Sequence, residues 1–192
     1  MKKYALVMID MQRGFIDPSS PLCIPAAAAT VPACAEVIRF CHEKNVPVFY
    51  TTRHYRADGS DVEKCRRAVW LAGGKPLSEE CEACMSDAYP EEFEVRESDY
   101  RIVKSRFSGF FGTPLDLILR RLGVNTVILA GTTTPNCIRT SCYDALSLDY
   151  DAIVLSDCTS SVTEEVQRAN LGDMERIGAQ IETVEGLRAL LG

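Results

Sequence analysis

The stretch Thr126-Val127-Ile128-Leu129-Ala130-Gly131-Thr132-Thr133-Thr134-Pro135-Asn136-Cys137 decides how this chain is read. Residues 126–130 form a short apolar run rich in β-branched side chains, the composition of a strand covered on both faces. Gly131 and the threonines after it make a turn. Pro135 suits the first turn of a helix, where its missing N–H costs nothing, and Thr134 before it is a capping residue type. Strand, turn and helix in succession are the first half of a βαβ unit. Cys137 falls in the first helical turn, where the positive end of the macrodipole favours thiolate over thiol.

The same alternation extends in both directions. Residues 4–9, 47–51, 100–103, 152–155 and 180–184 are further strand candidates. Helical spacing runs through 27–44, 114–122, 135–148 and 163–177, with a last helix from about Glu185. In 114–122, Leu115, Ile118, Leu119 and Leu122 share one face, and Gly123 is placed to stop the helix. Strands separated by helices imply right-handed parallel crossovers with both sheet faces covered, a three-layer α/β sandwich. One stretch breaks the rhythm. Residues 53–99 are charged, carry Asp58-Gly59-Ser60, Gly73-Gly74 and Tyr89-Pro90, and show little sustained periodicity. A connection of that length reads as a lid or insertion near a site. With no internal repeat and no linker, residues 1–192 are expected to form one domain.

The composition narrows the function classes. The chain has 192 residues, nine cysteines, two histidines and a formal net charge of −6. That length fits one domain able to bury roughly 70% of its unfolded surface without a metal or disulfide staple. The acidic balance argues against a nucleic-acid or membrane-surface partner, since both want a cationic face. The only sharply basic run is Lys64-Cys65-Arg66-Arg67. No apolar stretch reaches a membrane span, and the N-terminal apolar run stops at Asp10, too soon for a signal peptide. Nine cysteines without an export signal read as reduced thiols in the cytoplasm. Cys81-Glu82-Ala83-Cys84 is a lone Cys-x-x-Cys; a zinc or redox pair is weakly signalled, and inert thiols are expected.

An open parallel sheet binds ligands outside the carboxyl ends of its strands. Asp10 ends the first strand candidate, Lys104 follows 100–103, and Cys137 follows 126–130. A carboxylate, an amine and a thiol thus reach one sheet edge. The carboxylate can take the thiol proton and return it to a leaving amine, the lysine can hold the carboxylate and lower the thiol pKa, and free N–H groups at the helix start can bind an oxyanion. Each residue also has an ordinary reading: a turn-forming Asp, a solvated Lys, a packed Cys. Their joint placement favours chemistry. A dinucleotide-binding module is the rival on this architecture, but Asp10-Met11-Gln12-Arg13-Gly14 stands where Gly-x-Gly-x-x-Gly would be needed.

Three segments resemble the isochorismatase-like cysteine hydrolase family: Ile9-Asp10-Met11-Gln12-Arg13-Gly14-Phe15, Lys104-Ser105-Arg106-Phe107-Ser108-Gly109-Phe110, and Gly131 through Thr140. The resemblance implies Asp10, Lys104 and Cys137 as a catalytic triad. It further implies a non-proline cis peptide at Thr132–Thr133, an oxyanion hole from Thr133 and Cys137, a six-stranded, mainly parallel sheet, and a homo-oligomer, dimer or tetramer. The nicotinamidase branch places a metal through Asp-x-His after the second strand. Here Thr51-Thr52-Arg53-His54-Tyr55 has no such pair, and the other histidine, His42, is in a helix, so no metal and no cofactor is expected. Arg53-His54 and Asp58-Gly59-Ser60-Asp61 resemble the metal-free branch, which includes N-carbamoylsarcosine, ureidoacrylate and biuret amidohydrolases. The expectation is hydrolysis of a C–N bond in a small amide, ureido or N-carbamoyl compound through an acylated Cys137. A nicotinamidase- or isochorismatase-type hydrolase and a non-catalytic binding relative are the alternatives. Candidate substrate contacts are Phe15, Arg53, Trp70, Arg106 and Phe107, with Phe110 as a further aromatic and Arg139 as a further cation. Gln12 is a candidate support for the loop after Asp10.

Overall fold

The computed structural model describes residues 2–192. Six strands form one all-parallel sheet: β1 (Tyr4–Ile9), β2 (Val48–Arg53), β3 (Tyr100–Lys104), β4 (Thr126–Thr132), β5 (Asp151–Ser160) and β6 (Gln180–Glu182). Their order is β3-β2-β1-β4-β5-β6. The helices are α1 (Arg13–Ile16), α2 (Ala27–Glu43), α3 (Arg67–Ala72), α4 (Leu115–Arg121), α5 (Arg139–Ser147), α6 (Glu164–Arg176) and α7 (Val184–Leu191). A sheet with no antiparallel member is simpler than the mainly parallel one expected, because every connection crosses over through at least one helix or long loop.

The central strands are apolar because both faces are covered. Ala5, Val7, Ile9, Val127 and Leu129 pack with Leu115 and Leu119 of α4, Cys142 of α5 and Met174 of α6. Leu6, Met8, Ile128 and Ala130 face the other way, against Val37, Ile38 and Cys41 of α2 and Leu187 of α7. Each such aliphatic side chain contributes about 1.5–3 kcal/mol when fully buried. Among the described residues no helix is long and apolar enough to cross a membrane.

Chain order reverses direction between β1 and β4, so their carboxyl ends part there and leave a crevice. β4 and β5 run in register to Leu129↔Val154 and resume at Gly131↔Thr159, so β5 carries extra residues at a bulge. Beyond it, the Ser160 carbonyl accepts from Thr133 Oγ1 (3.1 Å) and Thr134 Oγ1 (2.9 Å), fastening the turn after β4. That turn is not the α-helical start expected from Pro135. Residues Thr134–Ile138 form a π-type turn, and the α-helix begins only at Arg139.

The chain between β2 and β3 folds over the carboxyl edge. Its short α3 was not foreseen, six residues being too few to show a helical period. Tyr55, Val62, Trp70 and Leu77 cluster with Phe15, and Trp70 Nε1 donates to the Pro76 carbonyl at 2.8 Å. Gly59, at φ +65°, lies so close that a Cβ there would sit 2.7 Å from the Trp70 ring. All nine cysteines are free thiols. Burial pushes Cys41 and Cys142 up to about 12, which keeps both protonated at neutral pH. Cys81 donates to the Met85 carbonyl and Cys84 to Glu82, so the two do not pair with each other.

Candidate active site

Asp10 is the first residue past β1 and sits in the left-handed region at φ 52°. Its N–H donates to the Thr51 carbonyl (3.0 Å), and its own carbonyl accepts from Gln12 N (2.9 Å). Gln12 then straps the loop to β2: its Nε2 donates to the Arg53 carbonyl at 2.8 Å and its Oε1 accepts from Arg53 N at 2.7 Å. Strand-end hydrogen bonding thus fixes the carboxylate before any partner is counted.

Lys104, the last residue of β3, is 2% exposed. Its ammonium donates to Asp10 Oδ2 at 2.7 Å and to the Arg106 and Phe107 carbonyls at 3.0 and 3.1 Å. All three protons are used. Asp10 Oδ1 remains buried without a partner of its own.

Cys137 lies in the π-type turn, and its carbonyl accepts from Ser141 Oγ at 2.7 Å. Ser141 Oγ in turn accepts from Gly109 N at 2.9 Å, tying the segment after β3 to α5. Cys137 is 6% exposed yet borders a cavity of about 310 Å³ that also touches Asp10, Thr132 and Thr133. The Thr132–Thr133 peptide is cis. Burial pushes the Cys137 thiol pKa up and the Asp10 charge adds to this; Lys104 and Arg53 pull it down without prevailing. Desolvation therefore outweighs the cations, and the thiol pKa is raised rather than lowered as the lysine and the helix start would imply.

Arg53 stands at the middle of this group, 1% exposed. Its Nη2 is 3.6 Å from Cys137 Sγ and donates to the Arg106 carbonyl at 2.8 Å, and its Nε is 3.9 Å from Asp10 Oδ2. Nη1 is paired with Glu63 and donates to Tyr55 Oη at 2.8 Å. The Tyr55 hydroxyl donates to Glu63 Oε2 at 2.7 Å. Burial works against the Arg53 cation, but Asp10 and Cys137 outweigh it and raise its pKa. For Glu63, burial raises and Arg53 and Tyr55 lower, with a net fall below the ordinary 4.5.

Of the other expected contacts, Phe15, Trp70 and Phe107 line the cavity with Arg53. Arg106 does not: its Nη1 donates to the Asp61 and Ser105 carbonyls, both at 2.7 Å. Phe110 packs in the core beneath the sheet, and Arg139 bonds to Asn170 and pairs with Asp173 on α6. Sequence reasoning missed Glu63 and Tyr55 as the partners of Arg53, and Arg66 as a cavity residue. Glu63 lies ten residues from Arg53 on an aperiodic loop, so no spacing rule links them.

Both histidines are committed elsewhere, His42 Nε2 to Asp99 and His54 Nδ1 to Asp87, each at 2.9 Å. Among the described residues no three His, Cys, Asp or Glu side chains converge as a metal site. The position next to Cys137 holds a guanidinium, which repels a metal cation.

Comparison with known proteins shows the family and the fold. The sequence profile of the isochorismatase domain matches residues 4–186. A protein of Arabidopsis thaliana described as a "probable inactive nicotinamidase" is 34% identical over 94% of this chain and 92% of its own. Maleamate amidohydrolase of Pseudomonas putida is 32% identical over 100% of this chain and 90% of its own. The crystal structure of an isochorismatase family protein from Desulfovibrio vulgaris superposes with a TM-score of 0.92 at 36% identity, covering 100% of this chain and 99% of that one.

Proposed function

Because the chain belongs to the isochorismatase family, we propose that it is an amidohydrolase of small molecules in which Cys137 is the nucleophile, Asp10 the proton carrier and Lys104 the group that holds Asp10. The observation that carries this reading is one cluster: Lys104 Nζ is 2.7 Å from Asp10, and Asp10 and Cys137 border the same cavity. The likeness to maleamate amidohydrolase supports a C–N bond as the one cleaved.

At rest the sulfur is a thiol, since burial and the Asp10 charge oppose its ionisation. Substrate fills the cavity and Cys137 attacks the amide carbon as Asp10 accepts the thiol proton. General base catalysis of this kind is worth about 10²–10⁴ in rate. The carbonyl oxygen gains charge, and the N–H groups of Thr133 and Cys137 are the donors assigned to it. Asp10 then gives its proton to the leaving nitrogen, the C–N bond breaks, and an acyl or carbamoyl thioester stays on Cys137. Water, deprotonated by Asp10, cleaves the thioester and the thiol is restored. Arg53 acts beside Lys104: with Nη2 3.6 Å from sulfur, it offsets the negative charge that appears there as the proton leaves.

The test is ammonia release over a panel of short amide acids, ureido acids, biuret, nicotinamide and simple amides. Turnover of one or more, lost in Cys137→Ala, with a mass adduct on Cys137 when the reaction is quenched, is the expected result. A second reading, a non-catalytic relative, is favoured by the raised thiol pKa and the likeness to a protein described as inactive. Silence across the panel, or activity retained by Cys137→Ala, would overturn the cysteine mechanism.

A further inference from the structure

The cavity carries an unbalanced positive charge. Asp10 is answered by Lys104, and Glu63 by Arg53. Arg106 and Arg139 are occupied outside the cavity. Arg66 is the exception. It is half-buried at the start of α3 and borders the same space as Cys137. Its guanidinium lies over the Phe107 ring at 4.7 Å, and among the described residues no carboxylate or carbonyl accepts from it. Arg53 faces the same ring at 5.2 Å, so the free cation is separated from the one beside the sulfur by no more than a phenyl ring and its two contacts. Leu22, Ile24, Val62 and Trp70 give the cavity apolar walls, and Tyr55, Thr132, Thr133 and Asn136 add uncharged polar groups.

An unpaired guanidinium at a cavity with no other unanswered charge is a receptor for an anion. It offers a planar fork that matches a carboxylate in two parallel hydrogen bonds, and its stacking on Phe107 holds the fork before the ligand arrives. One guanidinium suits a monoanion; a phosphate dianion would call for a second cation, and Arg53 is already neutralised by Glu63. We propose that Arg66 is the carboxylate anchor of this site and that the substrate is a short amide or ureido acid, its carbonyl at Cys137 and its carboxylate a few bonds away against α3. This rests on the amidohydrolase reading above for the amide end and on Arg66 alone for the acid end.

The two can be tested apart. Binding is measured by calorimetry on the Cys137→Ala chain with maleamate and succinamate, and with the neutral diamide succinamide. The acids are expected to bind about 30-fold more tightly than the diamide, the range for a charged hydrogen-bonded pair. Adding Arg66→Met should erase that preference and leave the diamide unchanged, whereas Arg66→Lys should keep part of it. Because Arg66 is only half-buried, the preference should shrink as salt is raised. In the active chain Arg66→Met should act mainly through KM for the acid. Acid and diamide binding equally, acid binding that survives Arg66→Met, or no binding of either acid would each overturn the anchor. Binding that depends on Arg66, without ammonia release from the active chain, would leave the anchor standing and overturn the proposed hydrolysis.

Discussion

Cys137 is pulled in opposite directions by its neighbours. Burial and Asp10 disfavour the thiolate, while Lys104 and Arg53 favour it. Under the proposed mechanism one variant moves two assays in opposite directions and a second moves them together. Asp10→Asn removes a negative charge, lowers the thiol pKa and should speed alkylation by iodoacetamide near neutral pH. The same change removes the proton carrier, so hydrolysis should fall by about 10²–10⁴. Lys104→Met should slow both. Alkylation that tracks hydrolysis in both variants would count against Asp10 as the base. A second residue-scale prediction concerns Gly131, at φ +115°, where a Cβ would lie 2.0 Å from the Ile9 carbonyl oxygen. Gly131→Ala forces β4 away from β1 beside Asp10 and should lower stability by more than about 3 kcal/mol in denaturant melts. These two strands cannot part without moving the Asp10 carboxylate and the sulfur relative to each other.

The segment between β2 and β3 meets a smaller cluster than the sheet does, and Trp70 is its largest member. Trp70→Ala should open the cavity wall, at a cost of about 3–5 kcal/mol to that cluster. The effect is expected as faster hydrogen exchange across 54–99, with the sheet strands as protected as before. Uniform loss of protection would mean that the segment and the sheet unfold as one. The elements differ in how far the sequence disclosed them. β1 is found at its expected bounds because its apolar run ends sharply at Asp10. β5 reaches to Ser160, well past the expected 155, because Ser156-Asp157 interrupts the apolar pattern at the bulge while Cys158, Thr159 and Ser160 return to the sheet. The π-type turn at Cys137 was hidden, since Pro135 fits any helical start. Asp10, Lys104 and Cys137 were legible because strand ends concentrate chemistry. Arg66 was not: Lys64-Cys65-Arg66-Arg67 reads as a solvated basic run, and only the folded loop brings one of its charges to the cavity.

Taken whole, the molecule joins a rigid sheet to a cover through the pair Arg53–Glu63, one residue on β2 and the other on the loop. Glu63→Gln leaves the buried guanidinium short of a counter-charge and should cost about 2 kcal/mol at neutral pH, between the values for exposed and fully buried pairs. The sign with pH follows from the lowered carboxyl pKa. Its stabilising effect is complete above the ordinary 4.5 and fades as pH falls through the depressed folded value. Melting curves of the two proteins should therefore differ at pH 7 and draw together in acid; a gap that widens in acid would refute the pairing. The division of labour between sheet and cover has one more consequence. Strand ends and the turn after β4 supply the carboxylate, the ammonium and the sulfur, whereas the loop supplies Tyr55, Trp70 and the lone Arg66. Under the proposed mechanism, grafting a foreign loop between His54 and Asp99 would then redraw which compounds are admitted while sparing the reacting groups, making this scaffold a natural host for retargeting by segment exchange.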